Sequence, residues 1–559
     1  MEYKTISIKE AVEKINNTWS LPAIQRPYDW GERSRKQDFI YKLFDSLFRG
    51  YPIGSFILWD TQRKIPCRSF LTDYDSEKLE RVMDRGRWGN KGLVYDGQQR
   101  LQSLFSCLVY TFHDKVLYFN LLFDKNKSRE AQGFKFFERN AVNIEPAYIS
   151  LPEIFSLNDE AIDSYKTQVL ERLGKLSQKE RDLVIDNITQ LHDVFTSKKR
   201  KILAYYPLNK DISEDEALDI FNRVNTTGMQ LTNAEIVSAK IKKHHFNFDT
   251  DVWSTCKEIR ERTGGLSINP DYILKILFLL VKGGVRVDPK RLDEKDIKNM
   301  LSKWAKLSDS LLDFYNEFIY KEFKINNPDI IRLNDIVIPL IVYTYHNILK
   351  GRRLKDFNAT EIRDMKKYFI ISQLKKWDLQ SYVDNFCGII EDKVTDGGVK
   401  FPLKEIRAFV KDGSKREFNL YEWDFNDEEF RTFVLKVSVP SKAYLYSSDS
   451  DIKFDPQLDH IFPQHPKEGY RKRGAEKLID TVWNLQPING EINMHDKSNL
   501  LPCDFFTTYP KVIKDYDHLP SSDPKSHLWL QKNAAKCISK RKSRMLNFIR
   551  RTYELNITS

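Results

Sequence analysis

An acidic residue, a histidine and two asparagines form the first group whose spacing suggests chemistry. Asp459 and His460 are adjacent, Asn484 follows the histidine by 24 residues, and Asn493 follows nine residues later. Metal-assisted phosphodiester hydrolysis needs oxygen ligands for a hard cation and a neutral imidazole that deprotonates water. It also needs a group that keeps the imidazole in the useful tautomer. These residue types at this spacing predict a one-metal nuclease site.

A second group lies in the run GLVYDGQQR at residues 92–100, which leads directly into apolar residues at helical spacing. A strand would end in the Asp96–Gly97 turn and pass into a helix N-terminus, where backbone N–H groups favour an anion. Arg100 supplies a fork of donors for phosphate, and Asp96 could cap the helix or hold a metal. The alternative is a capped helix that carries a surface arginine. The pattern GxxxxGK[ST] is absent, so a P-loop motor is not supported.

The elements that must position these groups differ along the chain. The first 240 residues mix strands and helices, with strands predicted at residues 55–59, 93–95, 116–123 and 201–206. Capping boxes at Ser7, Ser213 and Thr232 predict helix starts, and Gly50 should end a helix over residues 35–49. The charged residues 72–92 should form a surface excursion.

Residues 241–440 show mainly helical spacing, and the polar stretch 440–451 is the predicted boundary of the next domain. The fold class expected is multidomain α+β. We expect an N-terminal domain over residues 1–240, a helical middle domain over 241–440, and a C-terminal domain over 441–559.

Composition limits the class of protein. The 559 residues are 41% hydrophobic and 30% charged, which is typical of globular domains. Ninety Lys and Arg against 79 Asp and Glu give a net charge of +11, which suits a polyanionic partner. The six cysteines contain no CxxC pair, which disfavours zinc ribbons and a disulfide framework. No apolar run approaches the ~18 residues of a membrane helix. We expect a soluble, cytoplasmic protein that makes no membrane contact.

The C-terminal stretch 531–552 holds eight basic and no acidic residues. Such a run is commonly a solvated helix face, but beside a nuclease motif it could equally contact phosphates.

The segments LDHIFPQ and WNLQPINGEINMHDKSN closely resemble the HNH, or ββα-metal, nuclease motif. The resemblance implies a β-hairpin and a helix around one Mg²⁺ or Mn²⁺ ion. It gives roles to five residues: Asp459 as metal ligand, His460 as general base, Asn484 as the group that orients the base, Asn493 as second ligand, and Lys497 near a phosphate. His495 could replace Asn493 as the last ligand.

Three more segments, PAIQRPYDW (22–30), YPIGS (51–55) and FNRVNTTG (221–228), accompany DGQQR. Together they resemble the N-terminal domain of the GmrSD-like restriction endonucleases, which has a ParB/sulfiredoxin-like fold. The order of this domain and an HNH domain matches the family's single-chain arrangement. The resemblance implies a nucleoside triphosphate site formed by Gln25, Arg26, Asp96, Gly97, Gln98, Gln99, Arg100, Arg223 and Asn225.

The function expected is therefore a nucleotide-responsive, metal-dependent DNA endonuclease with NTPase activity. The resemblance places it in anti-phage restriction, acting on modified DNA. Two alternatives stay open: a DNA-binding or regulatory protein with an inactive HNH fold, and an RNase or toxin, since the motif chemistry is indifferent to the 2′-hydroxyl. The sequence leaves the DNA modification, the preferred nucleotide, the number of strands cut and the oligomeric state open.

Overall fold

The computed structural model describes residues 2–22, 30, 37–62, 65, 67–72, 92–127, 133–225, 232–245, 247–395, 400–410, 416–438, 456–464, 476–489, 497 and 500–558. The chain divides into two compact units, Met1–Asp251 and Val252–Ser559. Most of the predicted surface excursion at 72–92 and the whole of the predicted boundary at 440–451 lie outside the described residues. The three-domain division stays a prediction.

The first unit contains a mixed six-stranded sheet with the strand order β1-β9-β3-β5-β2-β4. Parallel pairing joins β9 to β3 and β5 to β2, and the other neighbours are antiparallel. The strands are β1 Lys4–Ile6, β2 Trp19–Pro22, β3 Ser55–Asp60, β4 Cys67–Arg68, β5 Gly92–Asp96 and β9 Leu203–Pro207.

A second, antiparallel sheet of the first unit has the order β7-β6-β8, with β6 Lys115–Asn120, β7 Phe134–Glu138 and β8 Tyr148–Ser150. Helices accompany the two sheets, and most of them contribute to an apolar core that the sheets share. They are α1 Ile8–Lys14, α2 Gln37–Arg49, α3 Gln98–Val109, α4 Leu151–Ser156, α5 Ile162–Leu173, α6 Gln178–Phe195, α7 Glu214–Asn225 and α8 Asn233–Lys242. The next helix, α9 Phe248–Thr263, runs across the boundary between the units.

The second unit is mainly helical. Its helices are α10 Pro270–Lys282, α11 Glu294–Asp313, α12 Ile338–Leu349, α13 Ala359–Leu374, α14 Gln380–Thr395, α15 Leu403–Phe409, α16 Arg431–Ser438, α17 Glu476–Ile479, α18 Pro502–Thr508 and α19 Ala534–Tyr553, with a π-helical segment at Phe314–Glu322 after α11. Two small sheets accompany them, one of β10 Leu420–Tyr421 with β13 Ile557–Thr558, and one of β11 Pro456–His460 with β12 Leu485–Asn489.

Local sequence signals account for many of these element ends. The capping boxes at Ser7 and Thr232 are present, with the Glu three residues later bonding back to each cap. Ser213 Oγ accepts from the Glu216 amide at 3.1 Å at the start of α7. Gly50 ends α2 with φ +77°, a left-handed conformation that glycine adopts without strain. The four strands predicted in the first unit are confirmed, with ends that differ from the prediction by at most three residues.

The fold is multidomain α+β, as the sequence predicts. No helix among the described residues is both long and apolar enough to cross a membrane.

Candidate functional site

Two antiparallel strands of the second unit position the acidic residue and the histidine. Strand β11 ends with Asp459 and His460, which lie opposite Gln486 and Leu485 of β12. Side chains alternate between the faces of a strand, so neighbouring Asp459 and His460 point to opposite sides. Asp459 is buried, whereas His460 stays partly accessible. We call this arrangement, with Asn484 and Lys497, the paired-strand site.

Lys497 closes the buried side of the paired-strand site. Its ammonium makes an ion pair with the Asp459 carboxylate and donates to the His460 carbonyl, and only 1% of the residue is exposed. Burial lowers the pKa of Lys497, and the neighbouring carboxylate opposes that shift. Lys497 therefore neutralises Asp459 and ties it to the end of its own strand.

His460 has a carboxylate neighbour that the sequence does not reveal. Its Nε2 lies 3.4 Å from Oδ1 of Asp480, which also accepts from Arg431 Nη1 and Gln464 Nε2, each at 3.2 Å. Burial lowers the pKa of the imidazole below its ordinary value of 6.5, while the bond to Asp480 opposes the shift. The imidazole is therefore mainly neutral at pH 7, which is the form that a general base requires.

Asn484 acts on the backbone that follows the histidine. Its side-chain Nδ2 donates to the carbonyls of Phe462 (2.9 Å) and Ile479 (2.8 Å), and its Oδ1 accepts from the Phe462 amide at 3.0 Å. Its own carbonyl accepts from the Ile461 amide at 2.8 Å. Asn484 is completely buried. It therefore fixes the backbone of residues 461–462, which directly follow His460.

The donor set suits a hard cation in part. A carboxylate oxygen of Asp459 is a suitable ligand for Mg²⁺, and an ion there would compete with Lys497 for it. The predicted second ligand, Asn493, and its alternative, His495, lie outside the described residues. Within the part of the chain that the structure describes, no group of three or more His, Cys, Asp or Glu side chains is arranged to hold a metal.

The turn between β5 and α3 forms the second candidate, in the first unit; we call residues 96–100 the DGQQR turn. Gly97 has φ +88°, and a Cβ there would lie 2.1 Å from the Phe56 ring, so only glycine fits. Gly97 provides no side-chain cap, and α3 begins at Gln98. Gln98 and Gln99 are both buried. The predicted strand, turn and helix N-terminus are all present.

Arg100 is engaged by its own domain. Its guanidinium donates to the carbonyls of Ile53 and Ser55 (2.9 Å for Ser55), bonds to Asp96 Oδ2 at 3.2 Å, and lies over the Phe56 ring at 5.0 Å. Burial lowers its pKa, with Asp96 opposing the shift. Arg100 thus ties the motif DGQQR to the segment YPIGS.

The other predicted nucleotide ligands are less well defined. Arg223 is exposed on α7 and pairs with Asp219 at 2.7 Å. Gln25 and Arg26 lie outside the described residues, as does the side chain of Asn225. Trp30, at the end of PAIQRPYDW, donates its amide to Gln99 Oε1 at 3.4 Å. This contact brings one end of that segment to the DGQQR turn.

Sequence reasoning missed three residues that shape the two candidate sites. Asp480 reaches His460, and Arg541 bonds to the backbone on both sides of Asn484. Gln102 exchanges hydrogen bonds with both the amide and the carbonyl of Leu71, at 2.9 and 2.8 Å. Only Arg541 left a trace in the sequence, as one of the cations in the C-terminal basic stretch.

Known proteins share the N-terminal part of this chain. Residues 8–242 match the family model of the GmrSD restriction endonuclease, N-terminal domain. This range agrees with the resemblance seen in the four N-terminal segments. No curated protein matches the chain.

Proposed function

We propose that this chain, whose residues 8–242 carry the N-terminal domain of the GmrSD restriction endonuclease family, is a metal-dependent DNA endonuclease that responds to a nucleoside triphosphate. The observation that carries the proposal is the paired-strand site. There a partly accessible histidine, whose pKa is lowered by burial, directly follows a buried aspartate at the end of an antiparallel strand pair. The matched family acts on DNA in restriction, which agrees with the basic charge of the chain.

His460 is the general base of the proposed reaction. We assign the proton of the neutral imidazole to Nε2, where it is donated to the Asp480 carboxylate 3.4 Å away. Nδ1 then accepts the proton from water. Asn484 holds the backbone at residues 461–462 so that the ring keeps this position. A bound Mg²⁺ would supply Lewis-acid stabilisation of the charge that develops on the phosphate. Asp459 would hold this ion together with Asn493.

The DGQQR turn is the proposed nucleotide site. Gly97, in a left-handed conformation, turns the chain from the end of β5 into the N-terminus of α3. Helix N-termini bind phosphate groups. Arg100 keeps residues 53–55 beside this N-terminus. A nucleotide here has no direct chemical part in cutting DNA, so its effect on cleavage must come from different affinities for two states of the protein.

A second candidate function is a DNA-binding protein with an inactive nuclease fold. The Asp459–Lys497 ion pair favours it, because a lysine already neutralises the carboxylate that would hold the metal. Cleavage that depends on both Mg²⁺ and His460 would exclude this candidate.

The test is incubation of the purified protein with plain and modified duplex DNA, with Mg²⁺ or EDTA, and with or without each nucleotide. An RNA of the same sequence tests the RNase alternative. We expect His460→Ala to lower cleavage by about 10²- to 10⁴-fold and to leave DNA affinity unchanged. His527→Ala, which removes an exposed histidine of the same unit, is the matched control. Equal cleavage by His460→Ala and the parent protein would refute the assignment.

The nucleotide part of the proposal has its own test. Asp96→Asn and Arg100→Lys should both lower nucleotide hydrolysis and change DNA cleavage severalfold, in either direction, while metal affinity at the paired-strand site stays constant. Cleavage that never responds to any nucleotide would leave the nuclease standing and would overturn the coupling.

A further inference from the structure

Arg541 lies on α19 within the basic stretch, yet only 1% of it is exposed. Its guanidinium donates to four acceptors: the carbonyls of Trp483 (2.6 Å), Leu485 (2.9 Å) and Asp517 (3.1 Å), and Gln486 Oε1 (2.8 Å). All four acceptors are neutral. Arg541 therefore holds backbone carbonyls of residues 483, 485 and 517, and we call it a backbone clamp. It differs from a surface cation, which is accessible to a phosphate.

The clamp encloses Asn484 from both sides. Nη1 of Arg541 bonds to the carbonyls of the two neighbouring residues, Trp483 and Leu485. Asn484 in turn bonds to the amide and the carbonyl of Phe462 and accepts from the Ile461 amide. Hydrogen bonds, together with the backbone of residues 483–485, thus link α19 to the residues directly after His460.

Only an arginine can make this set of contacts. The planar guanidinium presents five donors in a fixed fork, whereas a lysine offers one compact ammonium. Burying a charged group is unfavourable unless its donors are used. Apolar neighbours on the same helix, such as Ile538 and Met545, are also buried and supply packing without this cost. The contacts of Arg541 therefore serve a specific geometry around Asn484.

We propose that Arg541 is a positioning residue for His460, which acts by holding the segment 483–486 and, through Asn484, the backbone at residues 461–462. This inference rests on the proposed function, in which His460 is the general base. It also moves Arg541 out of the group of cations expected to contact phosphate.

The test compares Arg541→Lys and Arg541→Met with the parent in the full-length protein. We expect the single-turnover cleavage rate at saturating DNA and Mg²⁺ to fall by tenfold or more in Arg541→Met, with partial retention in Arg541→Lys. DNA affinity should change by less than about twofold, since a buried guanidinium contributes no phosphate contact. The matched control is Lys542→Met, which removes a neighbouring charge that pairs with Glu422.

A second measurement separates positioning from mere stability and from the proposed function. Histidine-labelled protein gives one imidazole NMR signal for His460, assigned by its loss in His460→Gln. At a temperature well below the melting temperature, Arg541→Lys should change the chemical shift of this signal. Lys542→Met should leave the chemical shift unchanged. If Arg541→Lys changes the His460 signal but the parent protein cuts no DNA, the positioning role is retained and the proposed function is refuted.

Two results would overturn the inference. One is an unchanged cleavage rate and an unchanged His460 signal in folded Arg541→Lys and Arg541→Met. The other is a loss of DNA affinity with no change in rate, which would return Arg541 to the phosphate-contacting cations.

Discussion

At the scale of single residues, Asp480 is the main addition to the chemistry suggested by the sequence. It lies 20 residues after His460 and reaches Nε2 of the imidazole, while Arg431 and Gln464 bond to the same carboxylate oxygen. An anion held in place by an arginine can fix a tautomer and stabilise the imidazolium that forms during proton transfer.

We therefore expect Asp480→Asn to lower the cleavage rate by about tenfold to a hundredfold, a part of the 10²- to 10⁴-fold that a general base contributes. DNA affinity and melting temperature should change little. The matched control is Glu428→Gln, which removes another carboxylate from the same Arg431, at 3.3 Å, without touching His460. Equal cleavage rates of Asp480→Asn and Glu428→Gln would show that Asp480 is a surface carboxylate with no part in catalysis.

Gly97 gives a residue-scale prediction for the DGQQR turn. Gly97→Ala combines a positive φ with a Cβ placed 2.1 Å from the Phe56 ring. Backbone strain and overpacking together should destabilise the first unit by about 2–4 kcal/mol. Gly50→Ala has a similar φ, +77°, with nothing within 4 Å of the added atom, and should cost about 1 kcal/mol. Thermal unfolding of both variants measures the difference. Equal losses of unfolding free energy would show that the contact with the Phe56 ring does not contribute to the destabilisation.

At the scale of elements, some basic residues of α19 bind other groups of the protein, whereas others are exposed to solvent. Arg541 binds the backbone around Asn484, Arg544 donates to the Leu519 carbonyl, and Lys542 pairs with Glu422. Lys536 and Lys540 are exposed and four residues apart, so they lie on one face of the helix. A uniform phosphate-contacting stretch is therefore too simple an interpretation.

Replacing Lys536, Lys540 and Arg551, all of them exposed, by glutamine should weaken DNA binding without regard to sequence. The slope of log affinity against log salt should fall by about 0.9 for each phosphate that is no longer neutralised. Titration of a labelled duplex over a range of salt concentrations checks this. The control is Lys542→Gln, and a slope equal to that of the parent would make the outer face of α19 a solvated surface only.

The elements also show what a sequence can reveal. Short runs of strand-forming residues predicted β3, β5 and β9, because β-branched and aromatic residues are enriched in strands. The three-residue β1 was missed, since it is too short to show a period and its partner lies about 200 residues later. The spacing of Asp459 and His460 from Asn484 and Asn493 identified these two residues in the sequence. The sequence does not reveal Asp480, and it shows Arg541 only as one cation of the basic stretch, because tertiary packing brings both residues to the paired-strand site.

At the scale of the whole molecule, the paired-strand site belongs to a unit that begins far upstream, at Val252. Helix α16 contributes Arg431 to Asp480, and the carbonyl of Val437 accepts from the Tyr553 hydroxyl at 3.0 Å. The Ser438 carbonyl bonds to His518 Nε2 at 2.5 Å. A fragment that starts at residue 440 lacks one partner of each of these hydrogen bonds.

We expect a fragment of residues 252–559 to unfold cooperatively and to show metal-dependent nicking without nucleotide. A fragment of residues 440–559 should be poorly folded and inactive. Circular dichroism melts and a plasmid-nicking assay distinguish the two. A stable, active 440–559 fragment would show that α16 is dispensable and would support the three-domain division.

The strand order of the first unit also has a consequence for synthesis on the ribosome. Within the described sheet, β1 pairs with β9 alone, and β3 lies between β9 and β5. The first strand made must therefore wait for residues 203–207, a delay of roughly 10–40 s at about 5–20 residues per second. Until then, β3 has an open edge that could pair with another nascent chain. A ribosome stalled before residue 203 would release an aggregation-prone product, whereas one stalled shortly after α8 would release a chain that contains all six strands of the sheet.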